Sequence, residues 1–471
     1  VLLAIVGCEF MLQLDTTIVT VALPNLQTDL EVSAGSLSWV INAFGLAFGG
    51  VLLVGGRLGD VYGHRRVFLA GTALFAAGSA LAGLAPTFWV LLVGRVLQGL
   101  GAAVAGPSGL ALLALSFPGE RQPRALAVYS TVTGLGASAG LIVGGVLAWV
   151  ASWRWTLLVN APVGLALVIL AARFLPAPSR PGQAAFGPAG AAAADPAGAA
   201  PGQPATRARQ LDLAGALTSV VAMTALVFGL VRAADQGWGD AVAWASLGLA
   251  AVLAVVFAAV ETRAEKPMLP RRIVVHRARS FALLEAGLMA FVLVSFLFFS
   301  TQFLQHERGF GPLRTGLAYL PFGLALMVAA RFVPRLLARV QAQELVAVGF
   351  ALMAGGTFWL SRLDAHSGYL AGVFAPMVLL GAGAGVVVVP VNVFTLTTAT
   401  PEDSGICSAA VQTALSVGGS LGLAVLLAVY VGTDGSLATA VAHTFRVSSA
   451  VAVGAVVVAL VGRAVQPRAT R

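Results

Sequence analysis

Residues 38–66 read SWVINAFGLAFGGVLLVGGRLGDVYGHRR. The first part is an apolar run of membrane-spanning length. The second is a glycine-punctuated turn that ends in adjacent arginines, Arg65 and Arg66. A bilayer core needs about 20 mostly apolar residues per helix, and clustered Arg marks a cytoplasmic loop. The same unit recurs along the chain. It predicts helices near 1–24, 38–56, 66–84, 87–116, 124–150, 154–175, 212–232, 241–261, 280–305, 312–334, 345–361, 368–399, 404–431 and 444–463. The fold class that follows is an all-α polytopic membrane protein of fourteen helices. Composition agrees, with 58% hydrophobic and 10% charged residues and mean hydropathy +0.91. Soluble domains carry about 25% charged residues.

Of the 28 Lys and Arg, 21 fall after even-numbered helices or in the C-terminal tail, six after odd-numbered ones, and Arg95 lies inside a helix. This asymmetry predicts a multi-pass protein of the cytoplasmic membrane with both termini in the cytoplasm. It also accounts for the net charge of +9, so no nucleic-acid partner is expected. The apolar run at Val1 reads as a trimmed start, not a cleavable signal peptide, because more spans follow it. Two cysteines, Cys8 and Cys407, allow neither a disulfide framework nor a Cys-based zinc site.

Residues 176–210 break the pattern. They are rich in Pro, Gly and Ala, and predict a flexible cytoplasmic linker. The resulting plan is a six-helix bundle at 1–175, the linker, an inserted helix pair at 211–262, a basic loop at 263–279, a second six-helix bundle at 280–463 and a tail at 464–471. The halves look related. Phe44-Gly-Leu-Ala and Phe322-Gly-Leu-Ala open similar segments, and without a gap Arg57 falls on Arg335 and Gly71 on Gly349. Repeats of this kind place a substrate path between two bundles.

Ionisable residues inside such a bundle are costly and usually functional. The first helix has Glu9 and Asp15. At 100° per residue, Glu9, Gln13, Thr16 and Thr20 share one face, and Asp15 is displaced from it. A polar face of this kind suits a helix that lines a water-filled cavity. A buried carboxyl gains proton affinity, as a proton carrier requires. Arg95 cannot deprotonate and needs an anion, a carbonyl or water as partner. Glu285 lies a few residues into its helix, which favours an interfacial position. Gly136, Gly140, Gly144 and Gly145 permit close helix approach. Five histidines lack metal spacing, and no metal or cofactor is expected. Lys266 is the only lysine, and it follows Glu265, so the chain has no phosphate-binding GxxxxGK[ST] loop and is not expected to be an ATPase.

The turn Gly56-Arg57-Leu58-Gly59-Asp60-Val61-Tyr62-Gly63-His64-Arg65-Arg66 resembles the signature loop of the major facilitator superfamily. In that family the aspartate, here Asp60, docks on a helix of the second bundle, whose counterpart would begin near residues 401–404. Val61 stands where a basic residue is usual. Leu14-Asp15-Thr16-Thr17-Ile18-Val19 with Ala22-Leu23-Pro24 is similar to the first-helix signature of the fourteen-helix drug:proton antiporter branch. Gly94-Arg95-Val96-Leu97-Gln98-Gly99-Leu100-Gly101 is similar to its helix-four motif, whose arginine is linked to proton transfer. Trp153-Arg154-Trp155 with Asn160, Pro162 and Gly164 resembles the opening of helix six, and Leu211-Asp212-Leu213-Ala214-Gly215 the inserted pair. The helix-five motif departs from its pattern, with Ala137 and Leu141 where prolines are usual.

The resemblance implies export of a lipophilic small molecule in exchange for protons. The gradient is the energy source, no cofactor takes part, and the protein works as a monomer in the bilayer. Asp15, Arg95 and Glu9 would carry coupling, with Gln13, Thr16, Thr20 and Gln98 as candidate cavity residues. The alternatives are a proton-linked importer of the same fold and a non-transporting membrane sensor or assembly partner.

Overall fold

The computed structural model describes residues 1–117, 122–175, 213–263, 277–337, 339–364, 366–397 and 404–465. The expected linker falls in the undescribed residues. So do most of the basic loop at 263–279 and of the tail.

The described residues form long helices: α1 (Leu2–Asp29), α2 (Ala34–Tyr62), α3 (His64–Gly83), α4 (Phe88–Ser116), α5 (Gln122–Val150) and α6 (Trp153–Leu158 and Asn160–Phe174). After 213 come α7 (Leu213–Gln236), α8 (Ala241–Arg263), α9 (Arg277–Gln302, ending in the π turn Phe303–Glu307) and α10 (Pro312–Ala318 and Leu320–Leu337). The last four are α11 (Ala342–Leu360), α12 (Ala375–Thr397, entered by the π turn Tyr369–Phe374), α13 (Ser404–Val431) and α14 (Leu437–Val465). Among the described residues, twelve helices are long and apolar enough to cross a bilayer. In α5 and α7 the apolar stretches so described are shorter, Ala139–Val150 and Leu217–Ala233. The protein is a multi-pass membrane protein, and the count of fourteen spans rests on the sequence.

Helix ends follow local chemistry. Ser33, Thr87 and Ser152 cap α2, α4 and α6, their hydroxyls accepting from the backbone N–H of Ser36, Val90 and Arg154. α1 runs past Pro24 to Asp29, although the proline ring removes one backbone bond. The sequence reading stopped α2 at 56 and left an eleven-residue turn. Instead α2 continues to Tyr62, and Gly63, at φ +91°, reverses the chain in one residue.

The packing is duplicated. α1 pairs with α5, α2 with α4, α3 with α4 and α6. In the same way α9 pairs with α13, α10 with α12, α11 with α12 and α14. Glycine contacts fix the register. Gly140 and Gly144 press on the carbonyls of Leu14 and Ile18, as Gly418 and Gly422 press on those of Gly287 and Phe291. Gly101 meets the backbone of Gly71 and Phe75, as Gly383 meets that of Gly349 and Met353. The matched pair Gly71 and Gly349 thus occupies one structural position in each half.

α2 crosses α13, and α5 crosses α10. The Thr413 hydroxyl donates to the Gly49 carbonyl at 3.3 Å, and a side chain at Gly145 would meet the Pro312 carbonyl at 2.7 Å. Gln305 of the π turn donates to the Val21 carbonyl at 2.8 Å. The last two contacts close the seam at the end of the molecule that carries Asp29. α7 packs on both α2 and α13 and holds α8 outside them. The main buried apolar cluster runs through both halves, from Val19 and Leu23 to Phe296, Phe350 and Leu427.

Candidate functional site

The most polar buried place among the described residues is centred on Asp15. Its carboxylate is fully buried, as is Arg95. Arg95 Nη1 donates to Asp15 Oδ2 at 2.6 Å. Gln98 Nε2 and Asn160 Nδ2 both donate to Oδ1, at 3.0 and 2.7 Å. Arg95 Nη1 also donates to Gln98 Oε1 at 3.0 Å, and Arg95 Nε to the Val40 carbonyl at 2.8 Å. Gln98 Nε2 reaches Ser79 Oγ at 2.7 Å, and the Ser79 hydroxyl donates to the Phe75 carbonyl. The Phe44 ring covers the guanidinium, with Cζ 4.6 Å from the centroid, a cation–π contact.

One carboxylate therefore ties α1, α4 and α6 together, and its partners extend the tie to α2 and α3. Each contributing helix is held by backbone contact. Gly78 of α3 seats against the α4 backbone at Gly94 and Gln98, and Gly94 packs on Ala82. A buried pair is favourable only with good geometry and satisfied lone pairs, and removing one partner costs about 3–5 kcal/mol. Both conditions hold at Asp15. It is a closed junction and no part of an open wall.

Glu9 makes a second polar site on α1. Gln13 Nε2 donates to Glu9 Oε1 at 2.8 Å, and the Tyr129 hydroxyl of α5 to Oε2 at 2.7 Å. Thr16 is exposed and Gln13 half-buried, whereas Glu9 and Thr20 are buried. The expected polar face exists, but only its middle is open. Gln98, a candidate cavity residue, is wholly buried in the Asp15 junction in this conformation. Glu285 is 1% exposed, and α9 packs on α11 and α14.

In the turn after α2, Gly59 packs against His64 and Ser108, and the Arg65 Nη2 donates to the Ala172 carbonyl at 2.6 Å. Arg65 thus caps the last turn of α6. Gly56 sits near Pro107, Leu58 is half-buried and Arg66 is exposed. The side chains of Arg57, Asp60 and Val61, and residues 401–403, lie outside those described. In α5, Gly136, Gly140 and Gly144 face the α1 backbone, while Gly145 faces α10 across the seam.

Sequence reasoning did not assign Asn160 a bond to Asp15, and did not mention Ser79 or Tyr129. Each is a polar residue inside an apolar span, which is the one signal available. At the Asp29 end, Trp153 Nε1 donates to Asp29 Oδ2 at 3.0 Å, and Arg154 Nη1 to the same oxygen at 2.5 Å. Arg154 also reaches the Ala85 carbonyl at 3.4 Å. The Trp-Arg-Trp opening of α6 therefore gathers the ends of α1 and α3.

Comparison with known proteins agrees with this architecture. A model described as Major Facilitator Superfamily matches residues 5–275 and 204–423. The chain is 37% identical over 436 residues to puromycin resistance protein pur8 of Streptomyces alboniger, covering 92% of this chain and 81% of that protein. It is 38% identical over 441 residues to the cephamycin export protein CmcT of Amycolatopsis lactamdurans, covering 92% and 86%. The tetracenomycin C resistance and export protein of Streptomyces glaucescens is 34% identical over 426 residues, at 90% and 74%. Among solved structures, an auto-inhibited POT family peptide transporter superposes with TM-score 0.69 at 16% identity, over 99% of this chain and 97% of that one. The POT family transporter PepTSo gives 0.68 at 15% identity, over 98% and 97%. At such identities the structures speak to fold alone.

Proposed function

Because the chain belongs to the Major Facilitator Superfamily, we propose that it exports lipophilic small molecules by proton antiport. It does so by alternating access, in the cytoplasmic membrane, with both termini inside. The relatives named for puromycin, cephamycin and tetracenomycin C support the substrate class. The observation that carries the reading is the Asp15–Arg95 junction. A charged pair on α1 and α4 is shut inside one half of a membrane protein, and its arginine is bonded to α2, a helix of the seam.

The coupling follows from the bonds. With Asp15 ionised, its two oxygens accept from Arg95, Gln98 and Asn160. A proton on Asp15 removes the anion that balances Arg95 and turns one acceptor into a donor. Arg95 Nε is bonded to the Val40 carbonyl of α2, and α2 is the helix that meets α13. Protonation therefore loosens the junction at the seam. Glu9, which accepts from Gln13 and Tyr129, is a secondary proton or cation site. The contacts of Gln305 with Val21 and of Gly145 with Pro312 lie at the extracytoplasmic end in this topology, so the conformation is closed to the outside. Inward proton movement supplies about 2.3 kcal/mol per 100 mV of potential. The twelve-plus-two helix plan, with six-helix bundles at 1–175 and 280–463 around the pair at 211–262, is the frame that rocks.

Ethidium uptake by inverted membrane vesicles tests this. Wild type should accumulate the dye under an acid-inside gradient and lose it on addition of a protonophore, and Asp15→Asn should not accumulate it. Gradient-independent uptake, equal in wild type and mutant, would refute proton-coupled export through Asp15.

A further inference from the structure

A buried polar pair in the second half takes no part in the junction. Glu285 of α9 is 1% exposed, and its Oε1 has no hydrogen-bond partner. It faces the Gln343 amide of α11. Gln343 is likewise 1% exposed, and neither its Nε2 nor its Oε1 is bonded. Three unsatisfied polar atoms therefore share one place, and a buried polar group without a partner costs about 1–3 kcal/mol.

Among the described residues, the surrounding charges do not reach Glu285. Glu344, next to Gln343, pairs with Arg463 of α14 at 2.7 Å on a half-exposed rim. Arg279 of α9 is buried and engaged elsewhere, and Arg277 is exposed. The spans of α12 and α13 carry no charged residue. On α1, Glu9 and Asp15 are held by their own partners, and Asp29 lies at the far end. An isolated carboxylate anion inside a membrane protein is the expensive form. The acid form is uncharged and gives Glu285 a hydroxyl for Gln343 Oε1. Glu285 lies eight residues into α9, about 12 Å along its axis. Gln343 is the second residue of α11 and the chain neighbour of Glu344 on the rim. Gly462 lets α14 pack closely on the amide: a methyl group there would lie 3.5 Å from Gln343 Cδ and a tight 3.3 Å from the Phe281 ring.

We propose that Glu285 binds a proton and exchanges it with the cytoplasm through Gln343, forming a second proton site in the C-terminal half. Its service in coupled export rests on the function proposed above; its holding a proton does not.

Infrared difference spectroscopy of the purified protein in lipid, titrated from neutral to alkaline pH, reads the site without any substrate. A protonated-carboxyl band should be present at neutral pH and absent from Glu285→Gln, whose amide mimics the neutral acid and keeps the fold. Gln343→Leu should retain the band and shift it, because the hydrogen-bond partner is gone. This second variant decides the matter if the first fails to fold. A spectrum unchanged by Glu285→Gln, or a band unmoved by Gln343→Leu, would overturn the site. In reconstituted vesicles, the protons exchanged per ethidium should fall by one in Glu285→Gln, and an unchanged ratio would overturn its part in coupling. If wild type moves no ethidium while the band behaves as stated, the export reading fails and the proton site stands.

Discussion

The two halves share a scaffold and differ in what they bury. In the register fixed by Gly140 and Gly418, Leu288 of α9 stands where Asp15 stands in α1. In that fixed by Gly101 and Gly383, Met377 replaces Arg95 and Leu380 replaces Gln98. Met377 and Leu380 are fully buried in the apolar cluster. The N-terminal half thus carries a charged junction where the C-terminal half carries a hydrophobic core. The difference teaches that the junction is not needed to build a bundle of this shape. Apolar packing does that in the second half, which accords with the coupling role proposed for the charges in the first.

Importing the second half's residues into the first breaks the comparison most strongly. Arg95→Met alone strands the Asp15 anion, and should cost about 3–5 kcal/mol and abolish gradient-driven dye uptake. Combining Asp15→Leu, Arg95→Met and Gln98→Leu should recover most of that stability while uptake stays lost. Thermal unfolding in detergent, read beside vesicle uptake, checks both. A triple variant that still transports would mean that the junction is only architectural.

Next in size are the shared glycines. Gly144→Val and Gly422→Val each drive a side chain into a backbone carbonyl, of Ile18 and of Phe291. Each should destabilise by about 1–3 kcal/mol or more, and by similar amounts. A large loss in one half and none in the other would show that the duplicated packing is not equivalent in energy.

A smaller effect is expected at Glu9. Tyr129→Phe deletes one donor to its carboxylate and should cost about 1 kcal/mol, leaving the Asp15 junction and uptake of neutral dyes intact. Equal loss of neutral and cationic dye uptake would place Tyr129 in the general transport path.

The smallest effect lies outside both halves. Asp240, between α7 and α8, accepts from Arg232 Nε at 3.0 Å and from the Ala243 N–H at 2.8 Å. The Arg232 guanidinium, then the backbone N–H, holds its carboxyl below the ordinary carboxylate range. A depressed acid stabilises the fold above its unfolded value, and the contribution disappears as pH falls through the folded one. The Tm gap between wild type and Asp240→Asn should therefore be small at neutral pH and vanish in strong acid. A gap that widened in acid would contradict the pairing.

Helices and their rough limits were legible because long apolar runs and clustered arginines are local signals. The turn at Gly63 was not, since a single residue at positive φ looks the same in sequence as a loose loop. Asp15 and Arg95 stood out as ionisable groups in apolar spans. Their pairing, and Asn160 as a third partner, join positions far apart in the chain that only packing brings together. The burial of Glu285 was not legible, because depth was counted along its own helix, whereas α11 and α14 decide what covers it. The burial of Gln98 was hidden for the same reason. It shares a face with Arg95, and that face turns inward.

In the proposed cycle a proton on the Asp15 junction is exchanged for substrate. This exchange is tested most directly by following luminal pH in acid-loaded inverted vesicles as a lipophilic dye is added. Dye-triggered alkalinisation is expected in wild type and none in Asp15→Asn, with equal amounts of folded protein. Alkalinisation of the same size in Asp15→Asn would contradict it.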